Sequence, residues 1–296
     1  MAADLDILIR SGDDPLVAWT YHRHFTHSLA FVPVGGVLSG LPFVWRKPKA
    51  KRALIVAATT VGYATHALLD AFTSYGTQLW WPFDNSREAW NWIGIVDPFF
   101  TVPLCFAVGL CAWKERIRPV WIAAVWCALY MGWGGFQHGR ARAHAEQLAA
   151  SRGHDVQRVE AFPGVITNVL WRTVYLADGR IHVDAVHVPW WGDITSLEGG
   201  SVEHVPRSAH ATWAQGDGEV ERGLATFDWF TDGWVAAHPD EPNVLGDLRY
   251  GRALAGTESM WGLRVGPHAE HPFSVWRSVP DGGALRARAA AWFDGF

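Results

Sequence analysis

Tyr21-His22-Arg23-His24-Phe25-Thr26-His27-Ser28-Leu29 and Thr65-His66-Ala67-Leu68-Leu69-Asp70 are the two stretches from which this chain is read. Each sets imidazoles at the end of a long apolar run, and the second adds a carboxylate four residues after its histidine. On a helix, residues i and i+4 share a face, so His66 and Asp70 can grip one object. Imidazole with carboxylate suits zinc or a similar first-row ion. Any one of these histidines alone reads as a polar residue at a membrane boundary, hydrogen-bonded to backbone or lipid head groups. Together they point to a metal site, because ionisable residues at membrane depth are costly and mark function.

Working outward, the composition divides the chain. Hydrophobic residues make up 49% of the 296 and charged residues 18%, below the roughly 25% of soluble domains. The long uncharged runs all precede about residue 137, and every lysine lies between Lys47 and Lys114. A membrane half, 1–137, and an extramembrane half, 138–296, are therefore expected. A net charge of −4 with no basic face in the second half argues against a nucleic-acid surface. Cys105, Cys111 and Cys127 fall inside apolar runs without zinc-like spacing and read as small buried hydrophobes. Many of the 19 tryptophans, Trp45, Trp80, Trp81 and Trp113 among them, flank those runs as interfacial anchors do.

About four transmembrane helices are expected, near 28–45, 53–72, 95–113 and 119–136. Asp97, Pro98 and Pro103 make the third the least regular. Arg46, Lys47, Lys49, Lys51 and Arg52 sit between the first two spans, and Lys114, Arg116 and Arg118 oppose Glu115 between the last two. Under the positive-inside rule both loops face the cytoplasm. The His22–His27 stretch, the His66–Asp70 end, the 74–93 loop and everything after 137 then share the opposite face. Residues 1–27 contain no apolar signal segment. An outside N-terminus with no preceding span is unusual, and an upstream helix before Met1 would make it regular.

Past the spans, residues 137–155 read as a polar helix leaving the membrane. Alternation through Leu170–Leu176 and Ile181–Val186 around Asp178-Gly179 signals a β-hairpin. A helix is expected from Glu219 to about Phe230, with short strands near 244–250, 260–265 and 273–278. This half is a small α+β domain. Its histidines (His182, His187, His204, His210, His238, His268, His271) show no ligand spacing and read as structural or surface groups, and His138 and His144 as solvated. Trp190-Trp191-Gly192 reads as a packed corner.

The candidate metal ligands are Asp4, Asp6, His22, His27, His66, Asp70 and Asp97. Asp97 reads equally as a ligand-side group or as a helix cap before Pro98. His24 could share the face of His27 or point to solvent. Ions with an open coordination position lower the pKa of bound water and yield a hydroxide nucleophile, and a pair of them can clamp a phosphodiester. Arg23, His27 and Asp70 are the candidate catalytic groups, with Arg23 as an oxyanion partner or a snorkelling cation. Thr26 and Ser28 read as supporting hydroxyls. No Gly-x-Ser-x-Gly elbow, Walker loop or Cys-His nucleophile pattern occurs.

These residues carry a resemblance. His-Arg-x-x-Thr-His-Ser (His22 to Ser28), Asp-Leu-Asp (Asp4 to Asp6) and His-x-x-x-Asp leading to Thr-x-Tyr-Gly (His66 to Gly76) resemble the LexA-regulated inner-membrane metal-dependent hydrolase family, the YdjM-like proteins. Asn168–Arg172 and Asp247–Gly251 are similar to the tail of many members. The resemblance implies a multi-span protein of a bacterial inner membrane with a metal site built from Asp4, Asp6, His22, His27, His66 and Asp70. It also implies a distant likeness to zinc-dependent phospholipase C and P1-type nucleases, and hence phosphoester hydrolysis. Family members usually carry a hydrophobic helix before Asp-x-Asp, whereas this chain starts almost at that motif.

The function expected is metal-dependent hydrolysis of a phosphoester or ester at the periplasmic membrane surface through a metal-bound hydroxide. One to three divalent ions, zinc by ligand type, and a lipid or phosphoester substrate go with it. A non-catalytic protein whose metal staples helix ends beneath a partner-binding domain is the main alternative. A transporter relaying ions through His66 and Asp70 ranks last, since the span centres carry no ionisable residue.

Overall fold

The computed structural model describes residues 2–11, 14–45, 47–266 and 272–278. Arg46 of the first basic loop, and His268 and His271, lie outside the described residues. A 3₁₀ turn over Ala3–Leu8 leads to α1 (Val17–Tyr21), two further 3₁₀ turns at Phe25–His27 and Leu29–Phe31, and then α2 (Val32–Val44) and α3 (Lys49–Ala71). These two helices pack as a hairpin. Glycine makes their contact possible. A Cβ at Gly36 would stand 2.5 Å from Thr60 Cα, so only a hydrogen lets the backbones approach this closely.

After an irregular 74–93 loop come α4 (Pro98–Lys114) and α5 (Arg118–Ser151), the second packed pair. The expectation of four spans is met only in part. Among the described residues, two helices are long and apolar enough to cross alone, Lys51–Ala71 and Arg118–Ser151. A third candidate is the pair Val17–His27 and Leu29–Val44, bent by 53°. The 13 residues of α2 reach roughly 20 Å at 1.5 Å each, short of a roughly 30 Å hydrocarbon core. The 17 of α4 reach about 26 Å. Phe99, Val102 and Phe106 on α4, and Trp121, Ile122 and Leu129 on α5, are more than half exposed, as suits a surface facing acyl chains rather than water. Cys105 is exposed and Cys111 and Cys127 are partly so, so the cysteines lie on this face and not in a core.

The second half holds two four-stranded antiparallel sheets where one small α+β unit was expected. The first joins β1 (Arg158–Pro163), β2 (Leu170–Ala177), β3 (Arg180–His187) and β4 (Thr195–Glu203) in chain order. Asp178 and Gly179 both adopt positive φ in the β2–β3 turn, as a two-residue hairpin requires. The second joins β5 (Val235–Ala237), β6 (Val244–Asp247), β7 (Trp261–Val265) and β8 (Phe273–Arg277). Before it stand α6 (His210–Ala214) and α7 (Gly218–Thr231).

Several contacts tie the halves together, and two of them are apolar. Helix α5 runs unbroken past residue 137 and lays Ala141, Ala145 and Ala149, all fully buried, against Trp171, Tyr175 and Val186 of the first sheet. At the other end Leu16 and Trp19 of the N-terminal segment enter the core formed by Leu224, Phe227, Phe230 and Phe273. His138 is not solvated, as its Nε2 lies 2.6 Å from Glu160, and a buried His144 Nε2 likewise faces protein. Trp190-Trp191-Gly192 is an exposed lip rather than a packed corner, with Trp191 84% exposed.

Candidate metal centre

Three segments converge on the end of α3. Its last turns present His66 and Asp70 on one face, as their spacing requires. The 3₁₀ turn Ala3–Leu8 delivers Asp4 and Asp6, which point about 120° apart because such a turn has three residues per revolution. Only Asp4 faces His66. The third segment reverses sharply after α1, with Arg23 at φ 59°, a left-handed conformation that most side chains avoid. Asp6 Oδ2 accepts from the Arg23 N–H at 2.9 Å and holds it there. Ser28 then caps the next turn by accepting from the Phe31 N–H, and His27 is left pointing inward, fully buried.

Asp4, His27, His66 and Asp70 thereby bring one ligand atom each to within 4.8 Å of one another. His27 Nε2 lies 3.0 Å from Asp70 Oδ2 and 3.5 Å from Asp4 Oδ1. His66 Nε2 lies 3.1 Å from Asp4 Oδ2 and 3.6 Å from Asp70 Oδ2. Ligands 2.0–2.2 Å from a tetrahedral centre stand roughly 3.3–3.6 Å from one another, and small side-chain shifts would bring these four donors to that spacing. The donors fit in a second way. His27 Nε2 and Asp70 Oδ2 are both buried, pair at 3.0 Å and bond to no third group, which leaves lone pairs of both free for a cation between them.

Supporting contacts aim those donors. Thr26 Oγ1 donates to Asp6 Oδ2 at 2.7 Å and stands 3.0 Å from His27 Nδ1, while Asp6 Oδ2 is 3.1 Å from the same nitrogen. A proton on Nδ1 satisfies this network, and a cation that displaces the proton of Nε2 would then find its lone pair aimed at the cluster. Burial alone would raise the Asp6 pKa, but hydrogen bonds from His22, His27 and Thr26 outweigh it and hold the carboxyl well below its usual range. Arg23 reaches Thr73 Oγ1 at 2.8 Å and Asp70 Oδ1 at 3.4 Å. One oxygen of Asp70 is thus engaged and the other turned to the cluster.

Residues 1–141 match the family model of the YdjM inner membrane protein. Over those residues the chain is YdjM-like, the likeness read above from its histidine motifs. No curated protein and no solved structure matches the chain. The family's description places it in the inner membrane, and the apolar helices fit insertion there.

Within this YdjM-like region the seven candidate ligands divide. Asp4, His27, His66 and Asp70 come together. Asp6 and His22 stand behind them, paired at 2.8 Å. Asp97 caps α4, with Oδ1 accepting from the Phe99 and Phe100 N–H groups and Oδ2 from the Tyr130 hydroxyl at 2.8 Å. His24 packs against Trp81 and Tyr21. Sequence reasoning named Arg23 but missed the arginines that join it around Tyr75, Arg87 and Arg249. Arg23 and Arg87 lie 5.0 and 5.4 Å from its ring centroid. Arg87 donates to the carbonyls of His22 and Gly76, and burial, with Arg249 and Arg23 nearby, pushes its pKa below the usual range. Arg249 pairs with Asp247 at 2.8 Å and donates to the Ser74 carbonyl. The signal that could have found them was the resemblance of Thr-x-Tyr-Gly and Asp247–Gly251 to family motifs noted in the sequence.

Proposed function

We propose that this chain is a membrane-bound, metal-dependent hydrolase that cleaves a phosphoester or ester at the membrane surface. The observation that carries the reading is the four-donor set Asp4, His27, His66 and Asp70, with two buried atoms that pair only with each other. A divalent cation, zinc by ligand type, supplies Lewis acidity and an acidified water when bound there. The chain's own residues prepare the site. Asp6 and Thr26 keep a proton on His27 Nδ1. Arg23 holds Asp70 by Oδ1, a positioning role in place of the oxyanion role first expected. Asp4, with 42% of its side chain exposed against 14% for Asp70, marks the side from which substrate enters.

A topology accompanies this reading. All four of α2–α5 cross the bilayer, α2 being extended by the turns before it. The two basic loops face the cytoplasm, and the donor set and residues 138–296 face the periplasm. Residues 1–137 form the membrane unit and 138–296 the extramembrane domain. The bilayer presents the substrate. His-x-x-x-Asp on α3 also supports a distant likeness to zinc-dependent phospholipase C and P1-type nucleases.

One observation favours a structural staple instead: four protein donors suffice to close a tetrahedral shell. Metal analysis of purified wild type against His66→Ala and Asp70→Ala, with a phosphodiesterase and esterase screen, separates the two. Metal in the wild type alone together with turnover is the expected result. Equal metal content in all three proteins removes the site. Bound metal without turnover of any ester leaves the staple.

A further inference from the structure

We infer that the substrate is a bilayer glycerophospholipid, one acyl chain of which lies in a groove between α2 and α3 with its ester head at the metal centre. The chemistry of the head rests on the hydrolase reading above; the seat of the chain does not.

The groove is a recess of about 840 Å³ whose floor is Gly35, Ser39, Thr59 and Gly62 and whose walls include Leu38 and Phe43. Its upper end is lined by His66, Thr26 and Ala3, so one member of the donor set, His66, stands in its wall. Pro42, Phe43 and Thr59 also line a second recess that reaches Ile55 and Trp45, and the two form one continuous track. From Ile55 to His66 is eleven residues of α3, roughly 16 Å at 1.5 Å each. That is about half of a roughly 30 Å hydrocarbon core, the depth of one leaflet.

The hydroxyls along the track select its occupant. Ser39 donates to the Gly35 carbonyl, Thr59 to that of Gly36, Tyr63 to that of Thr26 and Thr65 to that of Gly62. Each is satisfied within the protein, so the floor offers a sugar or a peptide few donors. Hydrocarbon needs none. Where His66 lines the groove the chemistry inverts, with carboxylate oxygens of Asp4 and Asp70 standing 3.1 and 3.6 Å from its Nε2. An amphiphile with its polar linkage above one straight apolar chain matches both ends.

Gly62 supplies the test, because a Cβ there meets nothing within 4 Å and projects into empty track. Leucine at this position is also the better helix former. The protein is reconstituted in vesicles of phosphatidylethanolamine and phosphatidylglycerol doped with phosphatidylglycerol bearing a photoactivatable diazirine on one acyl chain. Labelled peptides are mapped by mass spectrometry for wild type, Gly62→Leu and Gly109→Leu, the last an equally open position on α4. Label concentrated on α2 and α3 around Leu38 and Phe43, reduced about tenfold by Gly62→Leu and unchanged by Gly109→Leu, is expected, a factor equivalent to about 1.4 kcal/mol. Label spread evenly over α4 and α5, or insensitive to Gly62→Leu, overturns the seat. Head-group release from the same vesicles is followed separately. Its absence with groove labelling intact refutes the hydrolase reading alone; release with labelling unaffected by Gly62→Leu refutes the groove alone.

Discussion

His27 Nε2 and Asp70 Oδ2 lie 3.0 Å apart, buried, and pair with each other while bonding to no third group. Two donors brought together from segments more than forty residues apart in the chain are held for a third party. Metal should therefore stabilise the fold. Purified protein treated with chelator is expected to melt lower, and zinc at about a hundred times its Kd to restore about 2.7 kcal/mol. Asp70→Ala should abolish the zinc-dependent part of the melting curve. An equal zinc response in that variant would show that the cation binds elsewhere.

Asp6 acts one step behind the cluster. It accepts from His22, the Arg23 N–H and Thr26 and fixes the ring of His27 without offering an oxygen to the shared centre. Groups that orient a metal-binding histidine typically contribute about 10–100-fold in affinity. Asp6→Asn should weaken zinc binding by that factor in a competition titration, whereas His66→Ala should remove measurable binding. Equal losses in the two variants would make Asp6 a ligand itself.

The α2–α3 contact can be opened by one side chain. A Cβ at Gly36 would meet Thr60 Oγ1 at 2.3 Å and Thr60 Cα at 2.5 Å, and the second is backbone that cannot swing aside. Gly36→Val should cost at least about 1–3 kcal/mol and lower metal content, since His27 follows α2 while His66 follows α3. Gly62→Ala, with open space around it, should be neutral or stabilising by up to about 1 kcal/mol. Thermal melting in detergent with metal analysis reads both.

Arg249 and Asp247 form a buried ion pair at 2.8 Å that also anchors the Ser74 carbonyl. Removing one member strands a charge, so Arg249→Ala should destabilise by about 3–5 kcal/mol. The double variant Asp247→Ala/Arg249→Ala should lose less than the sum of the two singles. Strict additivity in denaturation midpoints would dissolve the pair.

Acid should loosen the sheet-rich half, residues 138–296. Burial holds the pKa of His210 below its ordinary value, and also that of His204, where the Gly233 carbonyl opposes it only in part. Below about pH 6.5 the unfolded chain binds more protons than the folded one. Their contribution is therefore complete above that pH and lost as pH falls. Melting temperature should drop between about pH 7.5 and pH 5.5, and His210→Leu should flatten the slope. A slope unchanged in that variant would assign it to other groups.

Several features were legible from local pattern alone, because their causes act within a few residues. His66 and Asp70 share a face by helical spacing, Asp178-Gly179 dictates a tight hairpin, and Gly218–Thr231 is an apolar-striped helix begun by an Asp217 cap. The apolar runs announced a membrane half, and two of them became helices long enough to cross unaided.

Tertiary structure decided the rest. Composition cannot tell how far a Gly- and Pro-rich run stays helical, and α2 stopped at 13 residues. It cannot rank Asp4 against Asp6, two identical side chains one residue apart, because the choice belongs to the 3₁₀ turn that aims one at His66 and the other at His22. Nor could it set Asp97 on the Tyr130 hydroxyl, or Arg249 beneath Ser74 from 175 residues away. Short-range stereochemistry writes which groups are available; which of them meet is settled only when distant apolar surfaces close over one another and leave each polar atom to find a partner.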